Sequence, residues 1–429
     1  MKTDIEKLRN EFSELLKNAS GEQLLGLKTI LSKNNKSIKT PEINADFFQL
    51  LKSISDEEKE KVHEVRSFMK THVEPIANQC WLEGRFPKEI IPEMAKLNIN
   101  GLTYKGYGCP NKSFLLEGIL SMEIASVDTS MATFYGVQSG LAMGSIYICG
   151  SKEQKEQWLP KMMPMECIGA FGLTEPDVGS GIAGGMKTTA KKKGNTWILN
   201  GQKKWIGNAT FSDITIIWAK DIDDNKVKGF IVKNDTPGFK TEKIEDKMAL
   251  RIVQNALITM ENCEVSEEDR LQNANSFKDT SKVLRMTRAG VAWQAVGCSK
   301  GAYQAALKYA TERKQFGRKI AGFQLIQIML VDMLSNLTAM QTMTHRLSQM
   351  QDSGILADEH ASLAKVFCTM KARDIVSRAR ELMGGNGILL DYNVARFLAD
   401  AEAIYSYEGT REINSLIVGR AITGQSAFV

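Results

Sequence analysis

Apolar residues recur with a helical period through the first third of the chain. In residues 1–45 two apolar stripes have the spacing of a single helix face. They comprise Leu8, Phe12, Leu15 and Leu16, followed by Leu24, Leu25, Leu27 and Ile30. This Lys-rich segment ends near Pro41 and is predicted to be an N-terminal helical extension. Two interpretations stay open: a docking helical hairpin, or an extension without a separate role.

Residues 46–165 continue the same period and are predicted to form an all-α domain. Asp56 precedes a charged helical stretch. The run 114–149 is apolar and dense in Ala, Ser, Gly and Met, a composition typical of closely packed buried helices. Ser151, with Gln154 three residues later, is a capping-box signal for one more helix.

The period changes to two at about residue 167, so residues 166–276 are predicted to form a middle β domain. Asn200-Gly201 directly follows the strand-like run 196–199, and this pair predicts a hairpin turn. Short connections favour antiparallel neighbours, because parallel strands need longer crossovers. We therefore expect an antiparallel, barrel-like sheet.

Helical periodicity returns and predicts a C-terminal helical bundle over residues 277–429. The four candidate helices are 280–313, 322–351, 356–383 and 411–423. The glycines at 384–387 are placed to cap the third of these helices. The predicted fold class is α+β, with an all-α domain, an antiparallel β domain and a four-helix bundle in chain order.

Composition narrows the class of protein. The chain has 429 residues, 43% of them hydrophobic, and a net charge of +5, as expected of a soluble protein with several subdomains. Basic and acidic residues are mixed, so no nucleic-acid partner is expected. No apolar run reaches the ~18 residues that span a membrane. Seven scattered cysteines without a CxxC pair and four unclustered histidines predict reduced thiols, no metal site and a cytoplasmic location.

Residues 179–184 match the pattern G-x-G-x-x-G. A dinucleotide-binding loop of this kind must open a helix inside a βαβ unit. Residues 187–191 lack a helical period and lead towards strands, so we reject a Rossmann site. The glycines still leave backbone amides open to a ligand.

Three further segments each allow two interpretations. Glu408 follows two aromatic residues and precedes a helix that begins near Arg411. It is either a charge at a helix N-terminus or a general base whose pKa rises in apolar surroundings. The run 312–317 is either a solvated helix end or a segment that binds phosphate and amide groups. Trp205 is either a core residue or an aromatic wall beside a planar cofactor.

Five motifs, taken in this order, resemble the acyl-CoA dehydrogenase/oxidase superfamily across about residues 46–429. They are FGLTEP at 171–176, WIGN at 205–208, RKQFG at 313–317, GGNG at 384–387 and YEGT at 407–410. The sequences of residues 105–110, 279–284 and 419–424 are similar to those in the branch of glutaryl-CoA dehydrogenases and plant short-chain acyl-CoA oxidases.

The resemblance implies an FAD held between the β domain and the C-terminal helices. The residues that it assigns to FAD are Phe171, Leu173, Thr174, Ser180, Trp205, Ile206, Arg313, Phe316, Gln324, Glu381, Leu382, Gly384, Gly385 and Thr410. Of these, Arg313 and Gln324 would reach the adenosine diphosphate portion of a neighbouring subunit's FAD, and residues 381–385 would close over it. The implied substrate contacts are Gln138, Ser139, Ser180, Arg288 and Gly409.

The same resemblance makes Glu408 the catalytic base. It would remove the α-proton of an acyl thioester while a β-hydride passes to the flavin, which gives a trans-2-enoyl thioester. Two positions depart from the pattern. Ala132 occupies the place where glutaryl enzymes hold an arginine, so we expect a substrate without a distal carboxylate, because an unpaired buried carboxylate is unfavourable. The resemblance to the short-chain branch implies a short acyl chain. Gly181 replaces an aspartate found in many relatives, which leaves the local loop contacts open.

The implied partners are an acyl-CoA, an electron-transfer flavoprotein as acceptor, and further copies of the chain in a homotetramer or homodimer. An oxidase that reduces dioxygen is one alternative. A dehydrogenase for acyl groups on a carrier protein, docked by residues 1–43, is another. A non-enzymatic flavin- or acyl-binding scaffold is the third, and the presence of Glu408 argues against it.

Overall fold

The computed structural model describes residues 45–428, together with Glu14, Lys17 and residues 19–21. The chain divides into two compact units, Met1–Asn44 and Ala45–Val429. All helices and strands named below belong to the second unit. The apolar stripes predicted within residues 1–45 lie outside the described residues.

The first helices of this unit form the predicted α domain. They are α1 (Asp56–Phe68), α2 (Glu74–Glu83), α3 (Ile91–Ala95), α4 (Phe114–Ala125), α5 (Thr129–Tyr135), α6 (Met143–Cys149) and α7 (Lys152–Met162). Two π-helical segments, Met69–Val73 and Gly136–Ala142, join α1 to α2 and α5 to α6. The predicted capping box is confirmed, since Gln154 N donates to Ser151 Oγ at 3.2 Å and Ser151 N donates to Gln154 Oε1 at 2.9 Å.

A seven-stranded sheet follows the α domain. Its strands are β1 (Gly169–Gly172), β2 (Thr189–Lys193), β3 (Thr196–Gly207), β4 (Ile214–Asp221), β5 (Val227–Lys233), β6 (Phe239–Lys243) and β7 (Asn255–Ser266), with one helical turn, α8 (Ile182–Gly185), after β1. The order is β1-β4-β2-β3-β7-β6, and β5 pairs with β4. The β1–β4 and β2–β4 pairs are parallel, so the prediction of antiparallel pairing throughout was wrong there. These strands are not consecutive in the chain, and the intervening strands supply the length that a parallel crossover needs.

The hairpin predicted at Asn200-Gly201 was also wrong, because β3 continues through it. The register against β7 shifts between Leu199 and Gly201. Gly201 has φ +138°, and a Cβ there would lie 2.7 Å from Thr188 Cα. The chain reverses instead near Gly194, which lies between β2 and β3 with φ 62°. The glycine at 201 therefore marks a bulge and a close backbone approach.

After residue 277 the chain forms the helical bundle. Its helices are α9 (Phe277–Glu312), α10 (Gln324–Asp352), α11 (Asp358–Leu382), α12 (Val394–Ser406) and α13 (Arg411–Thr423), with the short strands β8 (Lys314–Gln315) and β9 (Arg318–Lys319) after α9. The four predicted helices are confirmed, and α12 is an addition to them. It starts after Asn393, a residue type that often caps helices, but here Asn393 has φ 63° and its side chain makes no cap.

Strand β4 divides two cores of the middle domain. Ile216 and Trp218 face a core shared with α6 and α7, whereas Ile217 and Ala219 face the opposite side of the sheet. A third core joins the α domain to the bundle, where α9 packs against α4, α11 and α12. Helix α11 also contacts both α12 and α13, so it lies against both helices that flank Glu408. None of the described helices is long and apolar enough to cross a bilayer.

Candidate functional site

Glu408 lies in the turn that joins α12 to α13. Its φ is 53° and that of Gly409 is 84°, so two consecutive residues have left-handed backbone conformations. For a residue with a Cβ this conformation costs about 1–2 kcal/mol, and the surrounding structure must hold it. Thr410 then caps α13, since Ile413 N donates to its Oγ1 at 3.3 Å.

Two side chains hold the carbonyl groups of this turn. Lys365 of α11 is 1% exposed, and its Nζ donates to the carbonyl oxygens of Gly409 at 2.7 Å and Tyr405 at 3.2 Å. Asn414 of α13 is fully buried, and its Nδ2 donates to Gly409 O at 2.8 Å and Thr410 O at 3.0 Å. The turn is therefore fixed by α11 and by α13.

Glu408 is partly buried, and its carboxylate accepts a hydrogen bond from one hydroxyl group. Burial raises its pKa above that of an ordinary glutamate, and the charges of Arg288 and Lys365 oppose this only in part. Thr287 Oγ1 donates to Glu408 Oε2 at 3.1 Å, which also favours the ionised form. A carboxylate whose pKa moves towards neutrality is suited to take up and return a proton near pH 7.

Arg288 follows Thr287 on α9 and adds further donors beside the carboxylate. Its Nε is buried and has no hydrogen-bond partner within the described part of the chain. A buried donor without a partner is unfavourable, and a ligand acceptor would relieve that cost. Arg288 is therefore a candidate ligand contact.

A second group of predicted residues surrounds the end of β1. Phe171 and Leu173 are buried. Thr174 is joined to β3 twice: its Oγ1 donates to Lys204 O at 2.7 Å, and its carbonyl accepts from Lys204 N at 2.9 Å. These bonds fix the segment after β1 directly beside Trp205.

Trp205 lies outside the regular ladder of β3. Its φ is 69°, and the pairing with β7 shifts between Lys204 and Ile206. The Trp205 side chain is 56% exposed, whereas Ile206 is buried. Asn255 Nδ2 donates to the Trp205 carbonyl at 3.2 Å and holds this conformation. An exposed indole on a fixed backbone favours the interpretation of Trp205 as an aromatic wall beside a cofactor over its interpretation as a core residue.

The glycine segment after β1 leaves space for a ligand. Its last residues form the single helical turn α8 (Ile182–Gly185), and β2 follows without a longer helix, so the rejection of a Rossmann loop is confirmed. A Cβ at Gly179 or Gly184 would meet no atom within 4 Å, and Ser180 is exposed. The open space at Gly179 and Gly184, the exposed Ser180 and the exposed indole of Trp205 fit a planar cofactor that carries phosphates, such as FAD.

A buried ion pair that we did not predict from the sequence fixes this segment. Lys203 of β3 is fully buried, and its Nζ donates to Glu175 Oε1 and Leu173 O, both at 2.9 Å. Glu175 also accepts the backbone N–H groups of Lys187 at 2.7 Å and Thr188 at 2.9 Å. Burial lowers the pKa of Lys203 to about 8. Burial would raise the pKa of Glu175, but Lys203 and the backbone donors hold it below its usual range.

The other predicted cofactor residues lie at the far end of α9. Arg313 follows α9, Phe316 is 92% exposed in the β8–β9 hairpin, and Gln324 begins α10. The remaining four, Glu381, Leu382, Gly384 and Gly385, lie at the end of α11 and in the loop after it. Asn386 Nδ2 in that loop donates to Tyr309 OH of α9 at 3.0 Å. The structure thus joins the two segments near the end of α9.

Gln138 and Ser139 use their side-chain polar atoms on protein partners. Gln138 is fully buried, and its Nε2 donates to the carbonyl oxygens of Met162 at 3.1 Å and Cys167 at 3.0 Å. Its Oε1 accepts from Gly169 N at 2.6 Å, and Ser139 Oγ accepts a backbone N–H at 2.8 Å. These side chains brace the α domain and, through Gly169, join it to the start of β1 in the sheet, so a contact with substrate stays a prediction.

Known protein families account for most of this chain. The acyl-CoA dehydrogenase N-terminal domain matches residues 55–166, the middle domain residues 170–263 and the C-terminal domain residues 277–423. The domain boundaries predicted from the sequence lie close to the gaps between these matches, and they stay predictions.

Two curated proteins and one solved structure are similar over nearly their full lengths. The 3-(aryl)acrylate reductase of Clostridium sporogenes is 36% identical over 362 residues, which cover 82% of this chain and 95% of that protein. The caffeyl-CoA reductase-Etf complex subunit CarC of Acetobacterium woodii is 34% identical over 348 residues, with coverages of 80% and 92%. A glutaryl-CoA dehydrogenase from Mycobacterium smegmatis in complex with FADH2 has a TM-score of 0.86 at 33% identity, covering 89% of this chain and 98% of that one.

Proposed function

The chain belongs to the acyl-CoA dehydrogenase family, and we propose that it transfers hydrogen at the Cα–Cβ bond of an acyl-CoA thioester with Glu408 as the base. Family membership makes it an FAD-dependent oxidoreductase. The observation that carries the proposal is the α12–α13 turn. It holds a carboxyl group with a raised pKa beside the Thr287 hydroxyl and the Nε of Arg288, which no residue in the described part of the chain binds.

The residues of this turn match the needs of the reaction. Bound FAD supplies the acceptor for the hydride that leaves the β-carbon. Glu408 takes the proton of the α-carbon. The electron pair of the broken α-C–H bond forms the Cα–Cβ double bond as the hydride leaves the β-carbon. The α-proton of a thioester is only weakly acidic, so the carbonyl oxygen needs a hydrogen-bond donor as it gains charge. The peptide N–H of Glu408, held by the left-handed turn, is the donor that we assign to this chain.

We assign the FAD to the two groups of residues described above. Trp205, Thr174 and the buried Phe171 and Leu173 would hold the flavin portion, with Ser180 and the loop amides towards its phosphates. The second group would contact the FAD of a neighbouring subunit. Its members are Arg313, Phe316, Gln324, Glu381, Leu382, Gly384 and Gly385.

The substrate should lack a distal carboxylate. Ala132 on α5 is fully buried, and its carbonyl accepts from Gln294 Nε2 at 3.0 Å. The buried guanidinium of Arg396 reaches the start of the same helix, but it is committed to Asp128 and to Asn78. Neither Ala132 nor Arg396 therefore offers a cation to a carboxylate at the far end of the acyl chain.

The relatives favour electron-transfer flavoprotein as the redox partner. One is named as part of a complex with Etf, and two are named reductases. A raised pKa lets Glu408 accept a proton in the oxidative direction and return one in the reductive direction. The proposal thus includes reduction of an enoyl-CoA at the same site. Direct reoxidation by dioxygen and a carrier-protein substrate are the alternatives.

We also propose a homotetramer or homodimer. Helix α10 exposes Leu325, Ile328 and Val331 at intervals of three residues, and Phe316 lies exposed nearby in sequence. An exposed apolar row of this kind is typical of a protein–protein interface. Light scattering should give two or four copies. A monomer that still retains FAD would contradict the assignment of Arg313 and Gln324 to a neighbour's cofactor.

The decisive experiment is an anaerobic screen of flavin bleaching. FAD-loaded protein is mixed with short-chain, aryl-substituted and dicarboxylic acyl-CoA esters, and photoreduced protein is mixed with the matching enoyl-CoA esters. We expect bleaching by esters without a distal carboxylate and recolouring by their enoyl forms. If no acyl-CoA bleaches the flavin and no enoyl-CoA recolours it, the proposed function is wrong. If glutaryl-CoA is the best substrate, the inference from Ala132 is wrong.

The acceptor is tested on the bleached protein. Reoxidation is followed with air-saturated buffer and, separately, with electron-transfer flavoprotein under argon. We expect fast reoxidation only with the flavoprotein. Reoxidation by oxygen much faster than that of free reduced flavin would favour the oxidase instead.

A further inference from the structure

Lys365 is a buried ammonium group that the proposed chemistry does not use. It lies on α11 with 1% of its surface exposed. It forms no ion pair with a carboxylate in the part of the chain that the structure describes, and its recorded hydrogen bonds go to Gly409 O and Tyr405 O. An apolar side chain such as Met could fill the same space without burying a charge. The two carbonyl groups that the ammonium binds therefore explain why a charged side chain is buried here.

The two carbonyl groups lie on either side of Glu408 in the chain. Tyr405 is in the last turn of α12, and Gly409 immediately follows Glu408. By binding both, one ammonium group fixes the ends of the segment that must adopt left-handed φ values at Glu408 and Gly409. Asn414 supports only the far side, through Gly409 O and Thr410 O.

We propose that Lys365 is the positioning residue of the base: its ammonium clamps the carbonyls before and after Glu408, so that the carboxylate and the peptide N–H of Glu408 keep their places. This inference rests on the proposed role of Glu408. Besides positioning Glu408, Lys365 has an electrostatic effect, because its positive charge favours the ionised form of Glu408.

The charged and titratable groups around Glu408 set the direction of that effect. Arg288 on α9 and Lys365 on α11 are positive and act on Glu408, whereas Glu412 on α13 is negative and acts on Lys365. Tyr407 precedes Glu408 in the turn and is neutral, since burial raises its pKa. Burial raises the pKa of Glu408, and Lys365 is one of the groups that lower it. Burial in turn lowers the pKa of Lys365 to about 8. Loss of Lys365 should therefore raise the pKa of the base further.

The first test measures flavin reduction by stopped flow from pH 6 to 9, using an acyl-CoA that reduces the wild-type protein. Lys365→Met removes the charge and the donors. Lys365→Gln keeps a donor without the charge, and Lys371→Met is the matched control because Lys371 lies on the same helix in a surface ion pair with Asp374.

We expect Lys365→Met to reduce flavin at least about tenfold more slowly at saturating substrate, the size of effect that small misplacements of a catalytic group produce. The rising limb of its pH profile should move to higher pH, while substrate affinity changes little. Lys365→Gln should recover part of the rate but keep the displaced limb. Wild-type rate and profile in either variant would overturn the proposal, as would the same changes in Lys371→Met.

The second test needs no turnover. Melting temperatures are measured for Lys365→Met, Glu408→Gln and the double variant, each loaded with FAD. We expect the loss in the double variant to be smaller than the sum of the single effects, because Glu408→Gln removes the charge that Lys365 faces. Additive losses would overturn the coupling between the two residues. If no acyl-CoA reduces the wild-type flavin but the coupling is present, the proposed function fails while the contact inferred for Lys365 remains.

Discussion

Replacing Lys203 by Met should destabilise the protein and loosen its hold on FAD. The substitution keeps an unbranched side chain but leaves Glu175 buried without its cation. Breaking a buried ion pair by removing one partner costs about 3–5 kcal/mol. Glu175 keeps two backbone donors, from Lys187 and Thr188, so we expect a loss near the lower figure of about 3 kcal/mol. The Leu173 carbonyl also loses its donor.

The size of this loss can be followed as a change in melting temperature. For a chain of 429 residues the entropy of unfolding is roughly 0.9 kcal/mol per kelvin, so a loss of about 3 kcal/mol lowers the melting temperature by about 3 °C. The fall is larger if the middle domain unfolds separately. The assay is thermal unfolding by circular dichroism, with FAD retention after gel filtration measured on the same samples. Lys240→Met, at an exposed lysine of β6, is the control.

A double variant separates the charge from the packing. Adding Glu175→Gln to Lys203→Met removes the uncompensated carboxylate, so it should recover part of the lost stability. An unchanged melting temperature and full FAD retention in Lys203→Met would refute the reasoning. A double variant less stable than Lys203→Met would show that the carboxylate itself, and not the pair, supports the segment.

Three further predictions concern the base, a buried acid and the bulge. Glu408→Gln should retain FAD but slow its reduction by acyl-CoA by about 10²–10⁴-fold, and full turnover would remove Glu408 from its role. Burial raises the pKa of Asp400 to about 7. The contribution of Asp400 to the free energy of unfolding is therefore complete only below the ordinary pKa of aspartate, and it is lost as the pH rises through about 7. Asp400→Asn should therefore raise the melting temperature more at pH 8 than at pH 5, and equal changes at both would contradict this. Gly201→Ala, with φ +138° and a Cβ 2.7 Å from Thr188 Cα, should cost about 1–3 kcal/mol by denaturant unfolding, and wild-type stability would show that the bulge relaxes.

Helix ends could be predicted from the sequence where a cap decides them locally. Ser151 and Gln154 bond each other as expected, and Thr410 caps the helix expected near Arg411. These bonds form within four residues, so no knowledge of the rest of the fold is needed. The helix α12 has no such cap at Asn393, and its start could not be predicted in the same way.

Strand pairing could be predicted less well, because it depends on neighbours that are distant in the chain. Asn200-Gly201 has the sequence of a hairpin turn, yet Thr188 approaches Gly201 so closely that the glycine is needed within a strand. Likewise β4 lies between β1 and β2 in parallel pairs. Short connections rule out parallel pairing only for strands that follow each other directly.

From the sequence we could propose Glu408 as the base, but we did not predict the contacts of the buried lysines Lys203 and Lys365. Glu408 became identifiable through the order of motifs that resemble one family. Lys203 carried a signal of its own, since it is in phase with the buried Trp197 and Leu199 of β3. Charged residues are nevertheless rarely buried unless paired, so the residue type favours a surface position although the phase favours a buried one. Lys365 required the tertiary structure, because its partners lie some 40 residues later in the chain.

Lys203, Lys365 and Lys247 share one structural task, which is to bind backbone carbonyls of irregular segments. Lys203 binds the Leu173 carbonyl after β1, and Lys365 binds two carbonyls around Glu408. Lys247 binds the carbonyls of Leu250 at 2.9 Å and Val253 at 2.6 Å, in a loop that is also tied to α12 because Leu250 N donates to an α12 carboxyl group.

Each of these segments has an irregular backbone whose carbonyls have no regular ladder to bind them. An ammonium group suits such a place because it is compact and carries three donors that rotate on a flexible stem. A guanidinium can also bind several carbonyls, as Arg251 binds those of Trp81, Leu82 and Lys247. It is larger and planar, however, and the space around Lys365, which is 1% exposed, fits the compact ammonium group. Lys365→Arg should therefore not reproduce the contacts of the lysine with Tyr405 O and Gly409 O, even though it conserves the charge. The geometry of the turn, and not only its electrostatics, depends on this side chain.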